Sequence, residues 1–471
     1  MSKRSDREQS GDRPQQASDP RDPQRRRFIA AAAAAAAGGL LLPGCGGGSS
    51  DASLTSVGAE ALPAPAASGI DHVVLVMMEN RSFDHFLGWV PGADGRQAGT
   101  ILKDSKGRAY QSYDLAPNFQ NCNLADPDHS YAGGRTEING GAMDGFLLTQ
   151  PAGDTFPIGY YTGDSLPFFK GCADHWTICD RYFSGILGPT TPNRIYMHAG
   201  QTDRIKNTSK NSTLPTVWDR LQGVGASMAY YYLDVSYTAF WGKKYKSFSQ
   251  KFDTFASDVA NGKLANLTYI DSVGTDLHEG FGVSKDDHPY ADIRDGQAFL
   301  NSIYNTLRQS PLWEKTLLII NYDEWGGFYD HVTPPFAPLS PQEFAATGND
   351  GRLGCRVPCV LIGPRARRGH VEHSQFDPNS ILNFLAWRFG FAPLGARASS
   401  TSIAAALDFS STPNLQAPGF DVPAGPFGKF GGFCLPLGEL GALDVVRQRR
   451  AEHEDELNEL RALARQSGFG S

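Results

Sequence analysis

Apolar residues along the chain gather into short unbroken runs that stop at polar or turn-forming residues. Residues 72–78 are apolar after the opening histidine and are followed by Glu79-Asn80-Arg81-Ser82. A second run, 316–322, ends in Asp323-Glu324; a third, 357–362, ends in Gly363-Pro364; a fourth, 228–233, is followed by Asp234. Runs of this length, rich in β-branched side chains and apolar at odd and even positions alike, predict strands covered on both faces. Residues 296–307 and 380–389 carry helical spacing between them. The pattern therefore predicts an α/β fold, a mostly parallel central sheet flanked by helices on both faces. Ligands of such sheets collect where the strands end, which puts the two acidic pairs at one sheet edge although they are far apart in the chain. Residues 418–432 read as an extended Gly/Pro-rich loop. From 439 to 465 the chain is charged, with Leu457, Leu460 and Leu463 at helical spacing, and predicts a surface helix that packs rather than catalyses.

Composition narrows the class. A length of 471 residues suits a large α/β enzyme on one sheet. The net charge is -7; the first 45 residues hold eight Lys/Arg against five Asp/Glu, so they contribute +3 and the remainder about -10. That balance excludes nucleic acid as the expected partner and disfavours holding an anionic membrane by bulk charge, while a neutral phospholipid headgroup and peripheral membrane contact remain compatible with it. The cluster Arg365, Arg367 and Arg368 reads as a solvated loop. Arg25-Arg26-Arg27-Phe28 followed by alanines 30–37 resembles a twin-arginine export signal, too alanine-rich and short for a stable membrane span. Leu42-Pro43-Gly44-Cys45 resembles a lipoprotein box in which Cys45 becomes the lipid-bearing residue, although Pro43 departs from the usual small residue. The expectation is an exported protein, periplasmic, secreted or anchored to the outer membrane. Its parts are a signal over 1–45, a flexible linker over 46–68, a catalytic domain over 69–435 and a charged terminal helix over 436–471. Six cysteines follow Cys45; an even count in an exported chain permits disulfides, with Cys172–Cys179 as the expected pair. None has CxxC spacing, which argues against a zinc-thiolate site.

The polar segments carry the chemistry. Glu79 and Asn80 offer hard oxygen donors suited to a divalent cation. Asp323 and Glu324 are adjacent carboxylates at the end of a buried strand, an arrangement that is costly without a cation. Thr190 and Thr191 lie between Pro189 and Pro192, in a rigid turn that aims a hydroxyl, with Asn193 and Arg194 placed to hold phosphate oxygens. The plainer reading of this turn is a helix start with Thr191 as its cap and Pro192 at the first helical position. His129 follows Asp126 and Asp128, His288 sits between Asp287 and Asp292, and His331 follows Asp323 across a glycine turn. No G-x-S-x-G segment occurs, which excludes the usual serine hydrolase, and no H-E-x-x-H supports a zinc peptidase.

Four segments in order, ENRSFDH from Glu79, TTPNR from Thr190, DEWGGFYDHV from Asp323 and GCRVP from Gly354, resemble the phosphoesterase family that joins bacterial and plant non-specific phospholipases C with a bacterial acid phosphatase. The resemblance covers roughly residues 70–390. It implies an alkaline-phosphatase-like fold and places the family nucleophile on Thr190, with Thr191 in a variable spacer position. The expected site then has Glu79, Asn80, Asp323 and Glu324 around a divalent ion (Ca, Mg, Mn or Zn). Thr190 attacks phosphorus, His288 or His331 serves as the acid, His129 holds a phosphoryl oxygen, and Asn193, Arg194 and Asp292 contact the substrate. The expected activity is that of a phospholipase C, releasing diacylglycerol and a phosphorylated headgroup through a phosphothreonine. Acid phosphatase is the alternative, and an inactive protein that binds phosphate or phospholipid headgroups is the alternative of another class. Trp325, where many relatives have His, is a departure expected to reshape the pocket wall.

Overall fold

The computed structural model describes residues 62–121, 124–272, 283–428 and 443–469. The export signal with Cys45, the linker up to residue 61, Cys122 and Cys434 lie outside the described residues.

Eight strands form the central sheet: β1 (His72–Met78), β2 (Thr177–Cys179), β3 (Met228–Tyr232), β4 (Ser249–Lys251), β5 (Leu267–Asp271), β6 (Thr316–Tyr322), β7 (Cys359–Ile362) and β8 (His370–Glu372). Their spatial order is β8-β2-β7-β6-β1-β5-β3-β4. β1 and β6 lie side by side in parallel at the centre, and residues 73–78 and 316–322 are buried throughout, which is why both runs are apolar apart from Thr316 and Asn321, whose side chains are hydrogen-bonded. β5 flanks β1 on the other side, also parallel, and β3 follows it.

The third apolar run departs from the expected direction. β7 is antiparallel to both of its neighbours, with Asn321 opposite Cys359 and Leu318 opposite Ile362. The connection from β6 to β7 leaves and re-enters the sheet at one edge, and such a return needs no crossover. Gly363 therefore lies at the far edge, where an added Cβ would stand 2.5 Å from Thr316 O, and takes no part in the site. β2, β4 and β8 have three residues each, too few for a periodic signal.

The helices that matter for the site are α1 (Phe83–Leu87), α2 (Tyr131–Ile138), α3 (Thr190–Ala199), α4 (Ile293–Arg308), α5 (Pro378–Phe389) and α6 (Leu443–Gln466). α4 packs with helices 167–175 and 255–260, and α5 packs with α3, which packs with helix 217–223. α4 buries Ile293, Phe299, Leu300, Ile303, Tyr304 and Leu307 along one stripe. α6 buries Leu457, Leu460, Leu463 and Ala464 against the domain. No helix among the described residues is long and apolar enough to cross a membrane.

Candidate active site

The register of the three central strands brings the polar ends together. Met77 pairs with Asn321 on one side and Asp271 on the other, so Glu79, Asp323 and Asp271 leave the sheet at nearly one level. Asn80 ends β1 in the left-handed region, at φ 60, which asparagine tolerates better than most residues. Its backbone N–H donates to Asp323 Oδ1 at 3.3 Å, and the Glu324 N–H donates to the same oxygen at 2.7 Å. Gly326 lets the two turns meet: its φ is +63, and an added Cβ would lie 2.3 Å from Asn80 O.

α3 brings the hydroxyl. The helix begins at Thr190, and its N-cap is Pro189, which provides no side-chain acceptor. The capping role expected of Thr191 is therefore not seen, and Pro192 sits inside the first turn, where a missing N–H costs little. Asn193 locks the turn from within, accepting from Ile186 N at 3.0 Å and donating to Gly188 O at 2.7 Å and Pro189 O at 3.1 Å. Thr190, 6% exposed, donates its Oγ1–H to Glu79 Oε1 at 3.2 Å.

Arg194, one turn further along α3, is buried behind Glu79. Its Nε donates to Asp323 at 3.1 Å, Nη1 to Asp271 at 2.7 Å and Nη2 to Glu79 at 3.3 Å, and its face lies over the Tyr237 ring at 4.7 Å. Asn193 and Arg194, expected on the phosphate, are thus engaged with the turn and with the carboxylates. They build the site from behind. Asp271, whose other oxygen accepts from the Tyr230 hydroxyl, escaped sequence reasoning. Its run of five, Leu-Thr-Tyr-Ile-Asp, follows the same strand-then-acid pattern and was the available signal.

Four buried carboxylates, Glu79, Asp271, Asp323 and Glu324, face one guanidinium and the imidazole of His129. Burial raises the Glu324 carboxyl well above its ordinary range; the charge of His129 pulls it down and that of Asp323 pushes it further up. Burial also raises Asp323, against the pull of Arg194. Burial lowers His129, but Glu324 and Asp126 outweigh it and carry the imidazole up to about 9. Both side-chain atoms of Asn80 and Oε1 of Glu324 are buried with no hydrogen-bond partner among the described residues. Surplus buried negative charge beside an unpartnered amide oxygen fits a divalent cation held by oxygen donors. The residues present therefore suit such an ion.

Other sequence-predicted residues are drawn elsewhere. His331 donates from Nδ1 to Asp84 (2.6 Å) and from Nε2 to Asp94 (3.1 Å), in a network with Asp330 and Arg356. Ligand atoms of Asp84, Asp330 and His331 lie within 4.8 Å of one another, a spacing that suits a metal. Arg356 already places a guanidinium there, at 2.9 Å from Asp330 and 3.1 Å from Asp84, so the acids of this group have their cation. Asp292, expected beside the substrate, is the N-cap of α4, accepting from Arg294 N and pairing with the Arg294 guanidinium at 2.6 Å. His288 is buried, with Nδ1 at 2.9 Å from Pro289 O and Nε2 at 3.5 Å from Asp126. Trp325 is no pocket wall: fully buried, it donates to Glu137 of α2 at 2.9 Å and packs the acidic turn onto that helix. Cys172 and Cys179 are free, contrary to the expected disulfide, because the Cys179 thiol sits against Cys359 of the adjacent strand.

Two cavities open beside Thr190. A narrow one of about 30 Å³ is bounded by Glu79, Thr190, Tyr237, Phe240 and, from α6, Glu456 and Leu460. A wide one of about 570 Å³ is bounded by Asp126, His129, Tyr131, Pro189, Asn207 and Arg449. His129 Nδ1 is 2.8 Å from Pro127 O, so Nδ1 carries a hydrogen and Nε2 is the nitrogen free for chemistry.

The phosphoesterase family profile matches residues 70–392. Non-specific phospholipase C6 of Arabidopsis thaliana is 30% identical over 362 residues, 67% of this chain and 67% of its own length. Phospholipase C B of Mycobacterium tuberculosis is 31% identical over 430 residues, 75% of this chain and 80% of its own. Among solved structures, murine ectonucleotide pyrophosphatase/phosphodiesterase 5 matches over 72% of this chain and 100% of its own, at 11% identity and a TM-score of 0.37. With a family match that spans Thr190 and both acidic pairs, the chain belongs to the phosphoesterase family and is a hydrolase acting on phosphoric ester bonds.

Proposed function

We propose that this phosphoesterase is a metal-dependent phospholipase C that attacks a glycerophospholipid through Thr190. The observation that carries the reading is the Thr190 hydroxyl, aimed at Glu79 inside a cluster with more buried carboxylates than cations. Glu79, Asn80, Asp323 and Glu324 would hold the ion, which when bound favours the alkoxide form of a nearby hydroxyl and offsets phosphoryl charge. Glu79 accepts the Thr190 proton as the oxygen attacks phosphorus in line, forming a phosphothreonine diester that still carries the headgroup and releasing the diacylglycerol oxygen. That leaving oxygen needs a proton. His129 is favoured over His288 and His331, because it borders the wide cavity next to Pro189 while the other two are held by Asp126 and Asp84. Water, deprotonated by His129, then cleaves the Thr190 ester to give the phosphorylated headgroup, and Glu79 returns the proton to the Thr190 oxygen. Room for ester chains in the wide cavity and the names of the relatives support a diester over a monoester.

The test is an acid-quenched reaction of the purified chain with phosphatidylcholine, followed by peptide mass spectrometry, and a parallel assay on an aryl phosphate. Diacylglycerol release, phosphocholine on Thr190 and loss of both after chelation are expected. Activity on the monoester alone would select the phosphatase reading, full activity after exhaustive metal removal would overturn the metal, and an unimpaired Thr190→Ala variant would overturn the nucleophile. Export is proposed on Arg25, Arg26 and Phe28, with Cys45 as the lipid-bearing residue. Replacing both arginines by lysine should retain the precursor in the cytoplasm, and metabolic labelling with a fatty-acid probe should be lost in Cys45→Ser.

A further inference from the structure

The C-terminal helix α6 reaches the site, and one of its side chains is tied to the turn that holds Thr190. Glu456 Oε2 accepts from Asn207 Nδ2 at 2.8 Å, and Asn207 Oδ1 accepts the Thr191 backbone N–H at 2.9 Å. A carboxylate only accepts, so Glu456 dictates which end of the Asn207 amide faces which way. The carbonyl end is thereby turned to Thr191. That contact matters because α3 starts on Pro189, which has no side-chain acceptor for the first-turn N–H groups. Asn207 supplies from a separate loop the acceptor that a Ser or Asp cap would ordinarily supply locally.

The helix does not depend on this bond for its place. Leu460, Leu463 and Ala464 pack into the core, Arg449 donates to Gln150 at 2.8 Å and to Thr149 O at 2.9 Å, and Glu459 accepts from Ser209 at 3.1 Å. Glu456 is itself solvent-exposed, so its bond adds little to stability. What it sets is direction. We propose that Asn207 and Glu456 are positioning residues for the nucleophile: Glu456 orients Asn207, and Asn207 fixes the backbone at Thr191 and with it the aim of the Thr190 hydroxyl. The inference rests on Thr190 being the attacking group.

The experiment compares Asn207→Ala, Glu456→Ala, Glu456→Gln, the double alanine variant and Thr190→Ala, all as full-length metal-loaded protein. Asn207→Ala and Glu456→Ala are expected to lower kcat about tenfold (about 1.4 kcal/mol) with KM changed less than threefold; the unfolding midpoint stays unchanged in Glu456→Ala and falls slightly in Asn207→Ala, which loses the cap. Glu456→Gln, whose side-chain carbonyl still accepts, restores most of the rate. The double variant falls no further than Asn207→Ala alone, because one residue acts through the other. Hydrogen exchange at the Thr191 amide accelerates in both single alanine variants, a readout that needs no turnover. Additive losses, an unchanged kcat in Glu456→Ala, or unaltered exchange at Thr191 would each overturn the relay while Thr190→Ala is inactive. If Thr190→Ala is fully active, the nucleophile reading fails and the positioning role falls with it.

Discussion

Two buried arginines of this protein sit among acids that come from the same two sequence motifs, yet the two neighbourhoods have different charge balances. Around Arg194, the first residues of each motif, Glu79 and Asp323, are joined by Asp271 and Glu324, so four carboxylates meet one guanidinium and one imidazole. Around Arg356, the later residues of the same motifs, Asp84 and Asp330, together with Asp94, meet Arg356, Arg181 and His331, three acids to three bases. Among the described residues the first group leaves the Asn80 side-chain amide and Glu324 Oε1 unpartnered; Asp84 and Asp330 are hydrogen-bonded on both oxygens. Density of acids is thus a poor guide to a metal centre. The sign of the surplus charge separates a site that can receive a cation from a strut that already contains one.

Breaking the strut should have the largest effect on the fold. Arg356→Met leaves Asp84 and Asp330 buried without their guanidinium and should lower stability by about 3–5 kcal/mol, read by denaturant unfolding, with or without chelator. Glu324→Gln should do the opposite to the metal-free fold. The carboxyl's folded pKa is raised, so its ionised form is a cost above its ordinary range, and the amide removes that cost. In the metal-free protein the unfolding midpoint at pH 8 should rise. The same variant should weaken divalent-ion affinity by about 100-fold, equal to about 2.7 kcal/mol, in calorimetry, whereas Asp330→Asn should leave affinity unchanged. Gly326→Ala comes next, since φ +63 and a 2.3 Å approach to Asn80 O both oppose a methyl group. A loss of about 1–2 kcal/mol is expected, with reduced ion affinity because the two acidic turns are pushed apart.

The smallest effect is the pH dependence of the strut. Burial lowers the His331 pKa, but the hydrogen bond and charge of Asp84 outweigh it, so the folded value lies above the ordinary 6.5. The stabilisation this imidazolium contributes is complete below 6.5 and disappears as pH rises through the folded pKa. Unfolding midpoints measured from pH 6 to pH 9 should fall with a slope that His331→Asn removes.

Much of the framework was legible in the chain. β1 and β6 could be read from end to end, because a strand buried on both faces is apolar at nearly every position and stops where polar groups reach the sheet edge. Glu79, Asn80, Asp323 and Glu324 were read from those ends, and the proline-bounded turn offered Thr190 and Thr191, between which only the family resemblance chose Thr190. The direction of β7 was not legible, because an apolar run looks the same whichever way it points. Nor were the partners of His331, Asp292 and Trp325, which are residues distant in sequence. Sequence by itself determined which segments become strands and which oxygen donors crown them, since burial pattern and turn chemistry are local properties of a few neighbouring residues. Only the tertiary structure decided that Asp271 joins the cluster, that Arg194 and Arg356 divide the acids between a site and a strut, and that Glu456 reaches Asn207 from the C-terminal helix. Charge compensation acts through space, and it takes its sign from groups that the fold alone brings together.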